Sequence, residues 1–278
     1  MNTTTKLTIL LTGATDGIGR ETARQLTARG HDVIVHGRDA KKVAVVVDAL
    51  EKSAGRSLPA PLIADFASLQ EVRRMGADMN ARGVVVDVLL HNAGVFMKTA
   101  QQSVDGYELT LAVNHLAPFL LTQLVIGALK KAPQGRVVVV SSVAHQRGAL
   151  HLESIDDKAM PPTFDGYRAY ADSKLMNILF SNELAKRMAS TSVTSNALHP
   201  GVVSTKLLTE GFKMKGPDSV DEGAATSVFL ATDASVATIS GRYFLKSKAT
   251  EPGPKAKSAT DALRLWESSA KAVGVDVI

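Results

Sequence analysis

The sequence predicts an α/β fold, a doubly wound, mostly parallel sheet with helices on both faces, and three observations carry that expectation. Apolar runs of strand length at 7–11, 32–36, 84–90, 136–140 and 193–198 alternate with segments of helical character, and such alternation builds βαβ units. Two of the runs, 84–90 and 136–140, are nearly continuous and rich in valine. A strand reads this way when helices cover both of its faces. Small and polar residues follow the runs directly, as at Gly13, Asn92-Ala93-Gly94, Ser141-Ser142 and Pro200-Gly201, and parallel strands gather such exits along one edge of the sheet.

In chain order, strand 7–11 leads into Thr12-Gly13-Ala14-Thr15-Asp16-Gly17-Ile18-Gly19 and a helix over 21–29 that stops at Gly30. Strand, glycine turn and helix is the context in which N–H groups at a helix N-terminus face an anion. The spacing, Gly13-x-x-x-Gly17-x-Gly19, is not the usual G-x-G-x-x-G. The second strand, 32–36, delivers His36, Gly37 and Arg38 to its tip. An acidic residue there would hold a ribose 2′-hydroxyl, whereas an arginine accommodates a 2′-phosphate. The tip therefore favours NADP(H), with NAD(H) as the alternative. Asp39 is the complication: it reads first as the N-cap of a helix over 41–52, and otherwise as a charge that would oppose the phosphate.

A third strand ends at Asp65-Phe66, Ser68 caps a helix that reaches 82 and stops at Gly83, and the buried run 84–90 follows. Segment 109–129 is helical, with Asn114 and His115 in its apolar first half. The next strand, 136–140, ends in Ser141-Ser142. Polar residues broken by Gly148, Pro161-Pro162 and Gly166 make 145–168 a loop excursion, after which a helix bearing Tyr170 and Lys174 runs to about 188. Strand 193–198, the turn His199-Pro200-Gly201, a segment 202–220, a helix over 221–230, a short strand near 241–245 and a helix over 259–273 complete the alternation. One domain over 1–278 is expected, its substrate cleft walled by 145–168 and by a lid-like 202–220.

Composition narrows the function. With 45% hydrophobic and 21% charged residues the chain is an ordinary globular one. A net charge of +5 is spread without a basic run interleaved with aromatics, which argues against a nucleic-acid partner. The absence of cysteine removes disulfides, thiolate nucleophiles and cysteine-ligated metals. His91, His115, His145 and His199 lack metal-ligand spacing, so no metal is expected. The polar N-terminus does not resemble a signal peptide, and the apolar stretch 116–129, interrupted by Pro118, Thr122 and Gln123, reads as too short to span a bilayer. A cytoplasmic protein without a membrane anchor is the expectation.

Tyr170 and Lys174 lie four residues apart and so share one helix face. A free phenol titrates near ~10, and a cation a few ångströms away favours the phenolate. Bringing the phenol to about 7 takes roughly 4 kcal/mol of differential stabilisation. A phenol tuned in this way could pass a proton to or from a substrate oxygen.

Taken together, Thr12-Gly13-x-x-x-Gly17-x-Gly19, Asp65, Asn92-Ala93-Gly94, Asn114, Ser142, Tyr170-x-x-x-Lys174 and Pro200-Gly201 resemble the motifs of a short-chain dehydrogenase/reductase. Within that family Val140-Ser141-Ser142-Val143-Ala144-His145, the long spacing from Ser142 to Tyr170 and the tail from Gly241 to Trp266 are similar to retinol-dehydrogenase-like members and their bacterial relatives. The resemblance implies a Rossmann fold and an oxidoreductase that interconverts an alcohol and a ketone or aldehyde, a lipophilic one. It implies Tyr170 as acid/base, Ser142 on the substrate oxygen, Lys174 lowering the phenol pKa and holding the nicotinamide ribose, and Asn114 supporting a helix and a proton path to the lysine. Cofactor binding would fall to Gly13, Thr15, Asp16, Gly17, Ile18, Gly19, Arg38, Asp65, Phe66, Asn92, Ala93, Gly94, Tyr170, Lys174, Pro200, Gly201, Val203 and Thr205. Ser141 should point away from the site, as adjacent strand residues do. His91 departs from the pattern, standing where asparagine is common. Two other readings stay open, a non-catalytic NADP-sensing protein that binds a partner and a reductase of carbon–carbon double bonds. Helices 116–129 and 175–188 could form the face of a homodimer or homotetramer, or could be core.

Overall fold

The computed structural model describes residues 5–161 and 163–276. The first four residues of the polar N-terminus, Pro162 of the double-proline breaker and the last two residues lie outside them. Among the described residues eight strands form one sheet, β1 (Thr8–Leu11), β2 (Asp32–Gly37), β3 (Leu62–Ile63), β4 (Val88–His91), β5 (Arg136–Val140), β6 (Thr194–His199), β7 (Tyr243–Leu245) and β8 (Lys248–Thr250). Their spatial order is β3-β2-β1-β4-β5-β6-β7-β8. Pairing is parallel throughout except between β7 and β8. Order reverses between β1 and β4, and a crevice opens at such a point beyond the strand ends.

Strand alternation sorts the core into two layers. Ile9, Leu11, Val33, Val35, Val138 and Val140 pack with α1 (Gly17–Ala28), α2 (Ala40–Ala54) and α8 (Val220–Thr232), through Leu26, Val43, Leu50 and Val228. Leu10, Ile34, Leu89, Val137 and Val139 face α3 (Leu69–Ala81), α5 (Ala117–Lys130), α7 (Gly166–Arg187) and α9 (Ala259–Val273). A one-residue slip in any strand would exchange these sets and fails on that account. Several caps sit where the local chemistry predicts them. Asp39 accepts from the N–H groups of Lys41 and Lys42, and Ser68 from that of Glu71.

Other elements differ from expectation. Helix α1 starts at Gly17 rather than 21, because Asp16 caps it. The run 84–90 shrinks to β4, with Val84 and Val85 40% and 38% exposed. Gly83, at φ 66°, turns the chain out of α3, and the valines cross back to Asp87, whose N–H meets Thr8 O at 2.9 Å. The hairpin to β8 was not foreseen, since Lys246 and Ser247 adopt φ 48° and 58° where glycine or asparagine is the usual signal.

α4 (Leu109–Leu111), a π segment Ala112–Leu116 and α5 run on as one helix, Leu109–Lys130. It is 22 residues long and apolar enough, by length and composition, to cross a membrane, contrary to the sequence expectation. Pro118 enters just as the π register closes, where Ala117 N–H bonds Ala112 O, so its missing donor does not break the helix. In this fold 83% of the apolar window lies buried in the core. α7 packs against it, and α9 covers both. Trp266 stacks on Phe180 at 5.9 Å and meets Phe119 edge-on at 4.9 Å, with the Arg187 guanidinium 4.6 Å from the indole. The apolar faces considered for an oligomer are thus packed inside the molecule.

Candidate active site

The glycine loop leaves β1 and is tied down by its neighbours at the switch point. Thr12 Oγ1 accepts from the N–H groups of Asn92 and Ala93 at 3.1 Å each, while Asn92 Nδ2 donates to Thr12 O at 3.0 Å and Gly13 O at 2.9 Å. These bonds draw the loop so close to the Asn92 turn that a Cβ on Gly13 would lie 2.7 Å from Ala93 Cα, and one on Gly19 2.1 Å from Gly13 O. Glycine is required at both places by proximity. The N-terminus of α1 then opens on a cavity of ≈ 1300 Å³. Among the implied residues Gly13, Thr15, Asp16, Gly17, Ile18, Gly19, Arg38, Asp65, Phe66, Asn92, Ala93 and Gly94 line it.

His36, Gly37 and Arg38 stand at the end of β2 and line the cavity, but the His36 ring turns inward. It is buried, 3% exposed, with Nδ1 accepting from Gly13 N–H at 3.3 Å and Nε2 placed 3.1 Å from Ala64 O. Burial pulls its pKa down to about 4, so the ring is a neutral brace beneath the loop and stacks on Phe66 at 4.5 Å. The exposed cations at this end are Arg38 and Lys42, which line the cavity together. Lys42 escaped the sequence reading, although it stands four residues after Arg38 in the first turn of α2.

At the other end of the cavity Ser142, Tyr170 and Lys174 come together. Ser142 closes β5 and accepts from Ala144 N–H at 3.2 Å. Asp165 caps α7, which carries Tyr170 and Lys174. Burial pushes the Tyr170 phenol up to about 12, and a hydrogen bond with Ser142 works the other way. Lys174 lies with Nζ 5.4 Å from the Tyr170 ring centroid and donates to Val140 O at 3.1 Å. Burial brings its ammonium down to about 8. The expected lowering of the phenol by the lysine is not seen among the protein's own groups: removal from water disfavours phenolate, and the opposing contribution comes from Ser142, not from Lys174. Ser141 points away as expected and donates to Lys174 O at 2.7 Å.

Asn114 alone of the implied residues does not line the cavity. Fully buried in the π segment, it accepts from Val95 N–H at 2.7 Å and donates to Val95 O and Ser173 Oγ at 3.0 Å. It therefore fixes the turn after β4 against α7, one residue from Lys174. A π segment at such a place commonly marks a functional site.

The cavity is roofed by Pro200, Gly201, Val203, Thr205, Leu207, Leu208 and Phe212. Lys206 reaches down to Asp16 at 2.7 Å, joining this roof to the glycine loop. The opposite wall is 95–104, and among the described residues of the excursion 145–168 only Tyr167 lines the cavity. The excursion packs elsewhere, with Ile155 of the short helix α6 (Glu153–Asp156) in the core and Ala149 N–H on Asp172 at 2.7 Å. Phe96 and Phe212, both unforeseen, flank Tyr170 at 6.0 and 5.2 Å. Nothing local marks them, since their neighbours come from distant parts of the chain.

The residues present suit a dinucleotide. A helix N-terminus and a glycine cradle face one stretch of the cavity, two cations stand at one end, and a phenol with a lysine stands at the other. Comparison with known proteins agrees with this geometry. A family profile described as short chain dehydrogenase matches residues 7–154. Retinol dehydrogenase 12 of Bos taurus is 36% identical, the match covering 96% of this chain and 86% of that one. Retinol dehydrogenase 14 of Homo sapiens is also 36% identical over the same shares. The crystal structure of an uncharacterized protein from Mycobacterium paratuberculosis superimposes with a TM-score of 0.80 at 30% identity, covering 97% of this chain and 94% of that one.

Proposed function

The chain belongs to the short-chain dehydrogenase/reductase family of NAD(P)-dependent oxidoreductases, and from that premise we propose that it is an NADP-preferring enzyme that interconverts an alcohol and a lipophilic ketone or aldehyde. One observation carries the reading: Ser142, Tyr170 and Lys174 converge on the same cavity as the glycine loop, with the phenol buried and the Lys174 ammonium 5.4 Å from its ring centroid.

When bound, the nicotinamide supplies the hydride. The chain's own residues hold the substrate oxygen and manage its proton. Ser142 Oγ and the Tyr170 hydroxyl flank the position where that oxygen would lie. At neutral pH a phenol held near 12 is protonated, the form that gives a proton to a carbonyl oxygen as the carbon is reduced. Lys174, against the ring, stabilises the phenolate that is left. Glycine-loop N–H groups at the start of α1 face the pyrophosphate, and Asp65 and Phe66 stand at the adenine end. Arg38 and Lys42 favour a 2′-phosphate. Asn114 is a positioning residue.

An apolar substrate is supported by Val113, Leu207, Leu208, Phe212 and Met214 in the lining and by the names of the retinol dehydrogenases it resembles. The reading takes the whole chain as one domain and places it in the cytoplasm, since the one helix among the described residues that is both long and apolar enough to cross a membrane is mostly buried in the core. Reduced-nicotinamide absorbance, followed with NADPH or NADH and a panel of apolar aldehydes and ketones, tests it. Turnover faster with NADPH, and lost in Tyr170→Phe while nucleotide still binds, is expected. A Tyr170→Phe variant that keeps most of its activity overturns the acid/base assignment, and consumption of a conjugated carbon–carbon double bond in place of the carbonyl replaces the reaction class.

A further inference from the structure

We propose that Phe96 and Phe212 are the specificity-determining pair of this site, with Phe96 a fixed ring on which a flat, unsaturated substrate group stacks after displacing Phe212. The inference rests on the proposed carbonyl–alcohol reaction and adds to it the shape of the group beside the carbonyl.

The two rings are held differently. Phe96 follows the turn after β4, whose Val95 is clamped by Asn114 through both backbone groups. Its ring lies beside two glycines. A Cβ on Gly211 would stand 3.0 Å from Phe96 Cδ1, whereas one on Gly166 would run into the Met97 carbonyl oxygen and meet Phe96 Cζ only at an ordinary 3.4 Å. Gly211 has no positive φ, so there glycine supplies room for the ring and not an unusual turn. Phe96 is thereby seated between the start of α7 and the end of the π turn Leu207–Gly211. Phe212 belongs to the roof, and its ring lies on Phe96 with centroids 4.1 Å apart and planes 38° from parallel. It meets Tyr170 and Tyr167 edge-on at 5.2 and 5.9 Å.

In a chain with only 5% aromatic residues two rings, Phe96 and Phe212, flank the reacting phenol, and Tyr167 backs Phe212. No gap separates Phe96 from Phe212, so a group beside the carbonyl reaches Phe96 only by taking the place of Phe212. A planar group restores the stacked contact that is lost, whereas a puckered saturated ring of the same carbon count does not.

The experiment compares 2-naphthaldehyde with decahydro-2-naphthaldehyde as substrates with NADPH, in the wild type, Phe96→Leu and Phe212→Leu. The ratio of kcat/KM for the planar over the saturated aldehyde is expected to fall roughly three- to tenfold in Phe96→Leu, the range an aromatic contact commands. A ratio unchanged in both variants overturns the proposal. Calorimetric binding of 2-naphthalenemethanol and its decahydro counterpart, with NADP present, does not depend on turnover. If no aldehyde is reduced, yet the preference for the naphthyl alcohol falls in Phe96→Leu, the reaction assignment fails and the ring pair stands. Equal binding of the two alcohols by the wild type sinks the ring pair alone.

Discussion

Replacing Lys174 with methionine should stabilise this protein at neutral pH while abolishing its turnover. Burial brings the ammonium from an ordinary value of 10.5 to about 8. Each pH unit corresponds to about 1.4 kcal/mol, so the charge costs the fold on the order of 3 kcal/mol at pH 7. Against this stands the bond from Nζ to Val140 O at 3.1 Å, worth about 1 kcal/mol. Its loss strands no acceptor, since Asn177 Nδ2 donates to the same oxygen at 3.2 Å. A net gain of about 2 kcal/mol raises the melting temperature by roughly 4–8 °C. The folded chain binds fewer protons than the unfolded one between about pH 8 and 10.5, so wild-type stability rises with pH across that window. The advantage of methionine is therefore complete below pH 8 and shrinks toward the top of the window. Thermal unfolding of both proteins at pH 7, 8, 9 and 10 without added nucleotide measures it. A Lys174→Met protein that melts below the wild type at pH 7, or a difference that does not change with pH, would refute the reasoning.

Three further outcomes are expected. In Gly19→Ala the new methyl meets Gly13 O and Asn92 Nδ2; the loop must part from the β4 turn, with a loss of about 1–3 kcal/mol in stability and a weakened nucleotide affinity by titration, and an unchanged dissociation constant would contradict the role given to that contact. Asn114→Ala leaves the Val95 N–H without its 2.7 Å acceptor and should cost roughly 2–3 kcal/mol together with a loss of kcat, whereas a melting point within a degree of wild type would show that the clamp is dispensable. Removing both Arg38 and Lys42 should reduce the NADP-over-NAD affinity ratio at least about tenfold, each charge-assisted phosphate contact being worth about 1.5–3 kcal/mol, and a preserved ratio would place 2′-phosphate recognition elsewhere.

The architecture was legible where local chemistry decides it. Asp39 and Ser68 could be named as caps because a short acceptor before a helical segment has few other uses. The final helix, Ala259–Val273, was readable to the residue. Exits of parallel strands marked the cavity, and alternation along β5 sent Ser141 one way and Ser142 the other. Where backbone geometry or distance decides, the reading stopped short. Valine composition at 84–85 says strand, yet the turn at Gly83 claims those residues for a connection. The hairpin at Lys246-Ser247 carries no glycine. The direction of the Tyr170 shift depends on how thoroughly its ring is enclosed, and the rings that flank it arrive from positions 96 and 212. No four-residue spacing contains that information.

The indole of Trp266, wedged against Phe119 and Phe180, also has a bearing on biosynthesis. Translation proceeds from the N-terminus, so both phenylalanines leave the ribosome long before the helix that shields them. A nascent polypeptide stalled short of residue 259 holds every side chain of the reacting centre and still presents a greasy strip to chaperones. Clones shortened to that point should accumulate in inclusion bodies, whereas tags placed beyond the helix should be tolerated.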